Sequence, residues 1–203
     1  MKQSEGLMTG ADGLERCWWC GNDPLYIKYH DTEWGREQTD DIRLFEKLCL
    51  EGFQAGLSWI TILRKRENFR AAFDGFDFYK IAAYSEKDVE RLMENAGIVR
   101  HRGKIESVIN NAKYMIKLVE EHGSFYNFLQ EFKPDKEKRP KIVTYESLAQ
   151  ISSSPESIEL SKALKRRGFY FVGSTTAYAF MQAMGMVNDH LEGCFARKDC
   201  KTC

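Results

Sequence analysis

Apolar residues recur at helical spacing along most of the chain, most clearly from Asp40 onward. The stretch "DDIRLFEKLCLEGF" places apolar side chains every three or four positions, with an acidic residue at its start to cap a helix and Gly52 near its end to stop one. This pattern predicts a helix that ends close to Glu51. A second helix is predicted from about position 56 to the turn signal "DGFD".

Two more helices are predicted between positions 86 and 121, joined by the short segment "GIVRHRG". Ser85 and Asp88 have the spacing of a capping box at the start of the first. Gly97 is expected to end that helix in a left-handed conformation, and Gly123 is expected to end the second. The pattern therefore predicts a helix, a short hairpin and a helix.

The next segment, "FKPDKEKRPKIVTYESLAQISSSPES", carries three of the four prolines and mixed charge, which indicates a connecting excursion. At the end of this segment, Ser154 is placed to cap and Pro155 to begin a helix that Gly168 ends, and a last helix is expected at about 174 to 184. Residues 1 to 13 are polar and aperiodic, which predicts a flexible tail. Because strand-like alternation is absent from the sequence, the predicted fold class is all-α.

The composition is that of a globular protein with a substantial core. Of 203 residues, 43% are hydrophobic and 13% aromatic, so one compact unit or two small lobes around one core are expected. The 30 basic and 30 acidic side chains cancel, so an anionic partner must be held by a local patch. Three basic runs are candidates, although solvated helix surface is the favoured interpretation of each one alone: "RKR" at 64–66, "RHRGK" at 100–104 and "KALKRR" at 162–167.

No apolar segment of the sequence reaches the roughly 18 residues that a membrane-spanning helix needs, and the N-terminal sequence lacks an apolar signal core. A cytoplasmic protein with no membrane partner is therefore expected. In that compartment the six cysteines are expected to be reduced thiols or metal ligands before disulfides.

Two cysteines and two histidines near the two ends of the sequence form a compact set of candidate metal ligands: Cys17, His30, His190 and Cys194. Two thiolates and two imidazoles suit tetrahedral zinc in a closed structural site, which would join the ends of the chain. Ordinary buried cysteines and a surface histidine are the plain alternative. Spacing alone does not exclude a rival four-cysteine set, formed by the motifs "CWWC" (Cys17, Cys20) and "CKTC" (Cys200, Cys203).

The hairpin between the two central helices is a candidate contact for nucleic acid. Backbone N–H groups at the start of the second helix can face a DNA phosphate, and Arg100, Arg102 or Lys104 could add positive charge there. A plain helix pair with a capped joint is the alternative, and the hairpin pattern alone favours it.

A carboxylate among aromatic residues is the third constellation. Glu51 lies between an apolar helix end and a turn, in a stretch with little other charge. Ring faces with a carboxylate at their edge suit a planar cationic ligand, whereas core packing is the alternative and is favoured for Trp34. Because an unpaired buried acid is costly, Glu51 is expected to be exposed, paired or completed by a ligand. The aromatic residues that bracket it in sequence are Trp19, Tyr26, Tyr29, Trp34 and Trp59.

Four segments match a known family in order: "DPLYIKYHDTEWG", "CLEGFQAGLSWITILRKRENFR", "AGIVRHRGKI" and "SKALKRRGFYFVGSTTAYAFMQAMGMVNDH". On these segments the chain resembles the constitutive bacterial 3-methyladenine DNA glycosylases I, which belong to the helix-hairpin-helix glycosylases. The resemblance covers about residues 15 to 194. It implies a helix-hairpin-helix glycosylase fold. One lobe, from 14–60 and 155–203, would hold a zinc site that joins the termini, and 61–154 would form the helix-hairpin-helix lobe.

The resemblance implies a monofunctional enzyme that flips 3-methyladenine out of alkylated double-stranded DNA and hydrolyses its N-glycosidic bond, leaving an abasic site. The methylated base is cationic and already a good leaving group, so differential binding by a carboxylate and ring faces can drive the reaction. Glu51 is implied to be the catalytic residue that contacts the adenine edge, and a further role in orienting water is open. Tyr26, Tyr29 and Trp59 are implied to line the pocket, with Trp19 beside them.

The resemblance also implies a DNA contact and a metal site. Gly56 and Leu57 would lie on a loop that pushes into the gap left by the flipped nucleotide, with Leu57 as an apolar wedge. The family's structural zinc ligands match Cys17, His30, His190 and Cys194, which favours this set over the four cysteines. The sequence departs from the family pattern at Trp18, at Cys20, in the N-terminal extension and in the tail "ARKDCKTC". These departures leave open a ligand exchange or a redox-sensitive tail.

Two functions of other classes compete with this interpretation. A non-catalytic helix-hairpin-helix DNA-binding protein with structural zinc would use the hairpin and the basic runs to hold phosphates. A zinc-dependent hydrolase is disfavoured, because four protein ligands leave no open position for water. A monomer is expected in either case.

Overall fold

Helices dominate the fold, which confirms the predicted class. The computed structural model describes residues 5–135, 137, 139–140 and 142–200. The α-helices within these residues are α1 Pro24–Thr32, α2 Asp41–Gln54, α3 Trp59–Ala72, α4 Phe78–Ile81, α5 Glu86–Glu94, α6 Arg102–His122, α7 Phe125–Gln130, α8 Tyr145–Ala149, α9 Pro155–Arg166 and α10 Ser174–Ala183. In the described part of the chain, no helix combines the length and apolarity needed to cross a membrane.

Local capping residues set the helix boundaries that the sequence predicts. The Asp40 side chain accepts a hydrogen bond from the Arg43 N–H at 2.9 Å and begins α2. The predicted capping box of Ser85 and Asp88 is present at the start of α5. Gly123 ends α6 in the left-handed conformation with φ 80°, as predicted.

The structure corrects the expectation of a flexible tail over residues 1 to 13. Leu7–Thr9 (β1) pairs antiparallel with Glu15–Cys17 (β2), so a small sheet precedes the helices. Strands of three residues are too short to show alternation in the sequence. Residues 1–4 lie outside the described residues.

Gly97 differs from the prediction as well. α5 ends earlier, with Asn95 as its C-cap at φ −76°, and Gly97 is not left-handed. The Asn95 side chain accepts a hydrogen bond from the Gly97 N–H at 2.8 Å, so a side-chain turn replaces the expected glycine cap. The connecting excursion also contains a short helix, α8.

Helix α2 runs through the centre of the core. Every position from Leu44 to Phe53 is buried, so α2 is enclosed on all faces, with α3, α6, α7 and α10 packed around it. A smaller apolar cluster joins the N-terminal sheet to the C-terminal segment, and it consists of Leu7, Cys17, Val143, Leu191, Cys194 and Ala196. The division into two lobes stays a prediction.

Lys104 packs into this core and does not extend toward solvent. Its side chain is 7% exposed, and its ammonium donates to the carbonyl oxygens of Phe53 at 2.9 Å and Ala55 at 2.6 Å. Burial lowers the pKa of Lys104. The ammonium satisfies carbonyl groups at the end of α2, so Lys104 is less available to a DNA phosphate than an exposed side chain, and the expected phosphate contact stays a prediction.

Replacing Lys104 should destabilise the fold. Lys104→Met leaves the two carbonyl oxygens at the end of α2 without their donor, and we expect the free energy of unfolding to fall by about 1.5–3 kcal/mol. Denaturant unfolding measures this change. Lys113→Met, an exposed position on α6, should stay within about 0.5 kcal/mol of the wild type. Equal stability of both variants would contradict the assignment.

Candidate functional site

Helices α1, α2, α3 and α10 enclose a cavity of about 230 Å³. Helix α2 contributes Lys47, Glu51 and Gln54 to its wall, and Glu51 is only 6% exposed. The remaining wall is mostly aromatic and consists of Trp18, Trp19, Tyr26, Tyr29, Trp34, Trp59, Leu148, Ala179 and Gln182. The carboxylate and the aromatic residues that the sequence singles out therefore meet in one place.

The aromatic rings form a continuous wall. The ring centroid of Trp19 is 5.1 Å from that of Tyr26 and 4.9 Å from that of Trp34. The centroids of Tyr29 and Trp59 are 5.5 Å apart, and that of Tyr29 is 6.5 Å from that of Tyr26. These distances are those of packed aromatic pairs, so neighbouring rings hold each other in place.

Glu51 is paired within the cavity wall. Its Oε1 lies 2.7 Å from the Nζ of Lys47, one helical turn earlier on α2. The same ammonium donates to the Tyr29 hydroxyl at 2.8 Å and lies 3.2 Å from the ring centroid of Trp59. The sequence analysis missed Lys47, although its i,i+4 spacing from Glu51 was the available signal.

Burial shifts the pKa values of several groups in the cavity. It lowers the pKa of Lys47 to about 8, against the opposing effect of Glu51. Burial also raises the pKa of Tyr29 well above its ordinary value and that of Tyr26 to about 12. Both phenols therefore stay protonated at neutral pH and remain hydrogen-bond donors.

The indole N–H of Trp59 is a buried donor in this region. Within the described residues its Nε1 has no hydrogen-bond acceptor. A buried donor without an acceptor costs about 1–3 kcal/mol. Gln54 and Gln182 place two side-chain amides in the same cavity wall.

The four candidate metal ligands lie together and are all buried. The ligand atoms of Cys17, His30, His190 and Cys194 lie within 4.8 Å of one another. The Sγ of Cys194 is 3.4 Å from the Nε2 of His30 and 3.5 Å from the Nδ1 of His190, which is 3.8 Å from the Sγ of Cys17. Ligands of one tetrahedral zinc ion lie roughly 3.6 Å apart, so this donor set fits zinc.

A second layer of groups orients these ligands. The Nδ1 of His30 lies 2.7 Å from a carboxylate oxygen of Asp31, and Arg16 holds that carboxylate through its Nε and Nη2 atoms. The Nε2 of His190 lies 3.1 Å from the carbonyl oxygen of Trp34. Each imidazole thus uses its second nitrogen for orientation, as metal-ligating histidines do.

The rival four-cysteine set is not brought together by the described residues. The Sγ of Cys20 donates to the Cys17 carbonyl oxygen at 3.2 Å, and the Sγ of Cys200 donates to the Ala196 carbonyl oxygen at 3.5 Å. Cys203 lies outside the described residues.

An exposed face surrounds the end of α2. Gly56 is left-handed with φ 81°, and Leu57 after it is 41% exposed. Phe171, 39% exposed with φ 56°, lies close to Gly52, and its ring centroid is 6.4 Å from that of His101 in the hairpin. Three separate segments therefore reach this face, and the sequence analysis missed the one that carries Phe171.

Side chains of α6 fasten the segment that carries Phe171. The Asn111 amide donates to the Tyr170 carbonyl oxygen at 3.0 Å and accepts from the Tyr170 N–H at 2.8 Å. The Asn110 amide donates to the Gly168 carbonyl oxygen at 2.7 Å. Tyr170 itself is 61% exposed, so two aromatic rings project from a backbone that is held in place.

The basic residues of the hairpin have different surroundings. Arg100 is exposed. Arg102 is exposed too, but its guanidinium lies 2.6 Å from Glu86 and 3.3 Å from Glu106. Arg100 is therefore the better placed of the two to meet a phosphate.

Comparison with solved structures places the chain in the class of helical DNA glycosylases. The chain superimposes on a structure of 3-methyladenine DNA glycosylase I with a TM-score of 0.82 and 52% identity, over 89% of this chain and 98% of that one. A Staphylococcus aureus structure described as the basis of 3-methyladenine recognition gives 0.79 and 39%, over 86% and 92% of the two chains.

Sequence comparison then identifies the family. DNA-3-methyladenine glycosylase 1 of Escherichia coli is 52% identical over 182 residues, which are 89% of this chain and 96% of that protein. The Haemophilus influenzae relative is 46% identical over 190 residues, 92% of this chain and 98% of its own. A family model for methyladenine glycosylase matches residues 19–197. The chain belongs to this family, which confirms the resemblance.

Proposed function

We propose that this chain is a monofunctional DNA glycosylase that excises 3-methyladenine from alkylated DNA and leaves an abasic site for base excision repair. The observation that carries the proposal is a buried carboxylate, Glu51, in an aromatic cavity. The Escherichia coli and Haemophilus influenzae relatives are named as 3-methyladenine glycosylases, and this chain aligns with 96% and 98% of their lengths.

The chemistry of the base explains why this cavity is sufficient. Methylation at N3 makes adenine cationic in DNA, so the base leaves without strong acid catalysis. Glu51 and the ring faces stabilise positive charge on the base and on the sugar as the bond breaks. The aromatic residues that enclose the base are Trp19, Tyr26, Tyr29 and Trp59.

Double-stranded DNA binds across the exposed face at the end of α2. Leu57 enters the gap left by the flipped nucleotide, and the left-handed Gly56 permits the tight turn that presents it. N–H groups at the start of α6 and the exposed Arg100 hold the phosphate backbone. The segment with Phe171 adds an apolar contact on the same face.

Zinc is the metal that best fits the cluster of two cysteines and two histidines. Cys17, His30, His190 and Cys194 would hold it, and four protein ligands are the number that a closed structural zinc site takes. Zinc bound there is structural, because no position is left for substrate or water. It ties α1 to the C-terminal segment.

Several finer points remain predictions of this proposal. They are the monomeric state, the cytoplasmic location and the lobe boundaries at 14–60 with 155–203 and at 61–154. The competing function is a DNA-binding module without catalysis, which the exposed face and the hairpin also suit.

The first prediction of the proposal concerns Glu51. Glu51→Gln keeps the side-chain shape but removes its charge, so release of 3-methyladenine from methylated DNA should fall on the order of a hundredfold. Chromatography of the released base measures the rate under single-turnover conditions. Glu121→Gln, at an exposed position of α6, should match the wild type.

Two outcomes would contradict this assignment. Equal release by wild type and Glu51→Gln would remove Glu51 from the mechanism. Salt-dependent duplex binding by well-folded wild type without base release would favour the non-catalytic DNA-binding module.

A second prediction tests the metal. Elemental analysis should find zinc bound to the wild type, and a strong chelator should lower the melting temperature, because metal binding is coupled to folding. Cys194→Ser should lose the metal, whereas Cys20→Ser and Cys200→Ser should keep it. Loss of zinc from the latter two variants, with retention by Cys194→Ser, would favour the four-cysteine set.

A third prediction separates base flipping from base binding. Leu57→Ala should lower 3-methyladenine release from duplex DNA roughly tenfold, equivalent to about 1.4 kcal/mol, because the wedge is lost. Its affinity for free 3-methyladenine should not change. Ile158→Ala on α9, at 38% exposure against 41% for Leu57, is the matched control. Equal losses of release and free-base affinity would contradict the wedge role.

A further inference from the structure

Lys47 lies between the base cavity and a second cavity of about 150 Å³, and the proposed function gives it no role. Tyr29 and Trp59 line both cavities as well. Lys47 is 6% exposed, so its ammonium is held inside the protein and is not a surface charge.

The position of the ammonium matches what the proposed function requires of the methylated base. It lies 2.7 Å from Glu51 Oε1, 3.2 Å from the ring centroid of Trp59 and 5.1 Å from that of Tyr29. A positive charge over ring faces with a carboxylate at its edge is a cation subsite. In the free protein Lys47 fills that subsite.

We propose that the Lys47 ammonium is an internal competitor for the cation subsite, and that a cationic base binds as Lys47 releases its proton to bulk solvent. This inference rests on the proposed function and deepens it. Lys47 is thereby a specificity-determining residue, because it lowers the affinity for cationic bases relative to neutral ones.

Proton release keeps the cavity wall intact. Two positive charges beside one buried carboxylate repel each other, and loss of one proton removes this repulsion. A neutral amine still donates to Glu51, and it can accept from the Tyr29 hydroxyl by reversing that hydrogen bond. Both partners of Lys47 therefore keep their places.

Burial of Lys47 makes this release easy, and the charged groups around it modify the effect. Burial lowers its pKa to about 8, against Glu51 on the same helix. Arg66 on α3 lowers it further, whereas Glu33, the residue that follows α1, raises it, and the buried Tyr29 phenol stays neutral. Because the neutral amine favours the cationic ligand, affinity should rise about tenfold per pH unit up to about pH 8 and be level above it.

Calorimetry with a permanently charged probe tests the proposal. The probe is 3,9-dimethyladeninium, in which the N9 methyl stands for the sugar, and 9-methyladenine is its neutral counterpart. In two buffers of different ionisation enthalpy at pH 7, wild type should release close to one proton on binding the cation and none on binding the neutral base. Affinity for the cation should rise between pH 6 and 8, and affinity for the neutral base should not.

Two variants sharpen the test. Lys47→Met should bind the cation without proton release, with a flat pH profile and with about tenfold higher affinity at pH 7. Lys162→Met is the matched control, because Lys162 has an exposed Glu159 partner at 2.9 Å on α9, and it should behave as wild type. If Lys47→Met fails to fold, the proton count of wild type still decides.

The outcomes separate this inference from the proposed function. Cation binding and 3-methyladenine release by wild type without proton release, or proton release retained by Lys47→Met, would overturn the role of Lys47 alone. Absence of binding of either ligand, together with absence of base release from methylated DNA, would overturn the proposed function and this inference with it.

Discussion

The ion pair between Lys47 and Glu51 is the interaction on which the rest of the site depends. Both side chains belong to a helix that is buried on every face from Leu44 to Phe53. Charges in such surroundings lose their hydration, and breaking a buried pair from one side costs about 3–5 kcal/mol. Lys47 also binds the Tyr29 hydroxyl and the Trp59 ring, so the pair positions the aromatic wall.

The cluster of four candidate metal ligands and the cavity share a wall. Tyr29 and His30 are consecutive on α1, so one side chain faces the cavity while the next belongs to the cluster. The Trp34 ring lines the cavity, and its carbonyl oxygen lies 3.1 Å from the His190 ring. Closing the cluster therefore fixes the aromatic residues as well. A structural metal would support base binding without entering the cavity.

Features set by neighbouring residues could be predicted from the sequence, whereas features set by distant residues could be predicted only where those residues share one chemistry. Asp40 and Ser154 mark helix starts because their capping bonds are local. The candidate site was found because its carboxylate and rings cluster in sequence and because thiolates and imidazoles share one chemistry. The carbonyl partners of Lys104 lie 49 and 51 positions away, so its burial left no local signal. The strand Leu7–Thr9 was too short to show a pattern.

A cavity built for a cation has to be stable before the cation arrives. Glu51 cannot fold into the core unpaired, and the ligand is absent while the chain folds, so an internal cation is the direct solution. A stronger ion pair between Lys47 and Glu51 stabilises the protein without ligand. It also weakens ligand binding, because the ligand must replace Lys47 at the same carboxylate. Burial of Lys47 moderates this conflict, because it makes the ammonium easier to neutralise. The affinity for a cationic base then depends on how much more strongly Glu51 interacts with the base than with the Lys47 ammonium. The carboxylate alone does not set this selectivity.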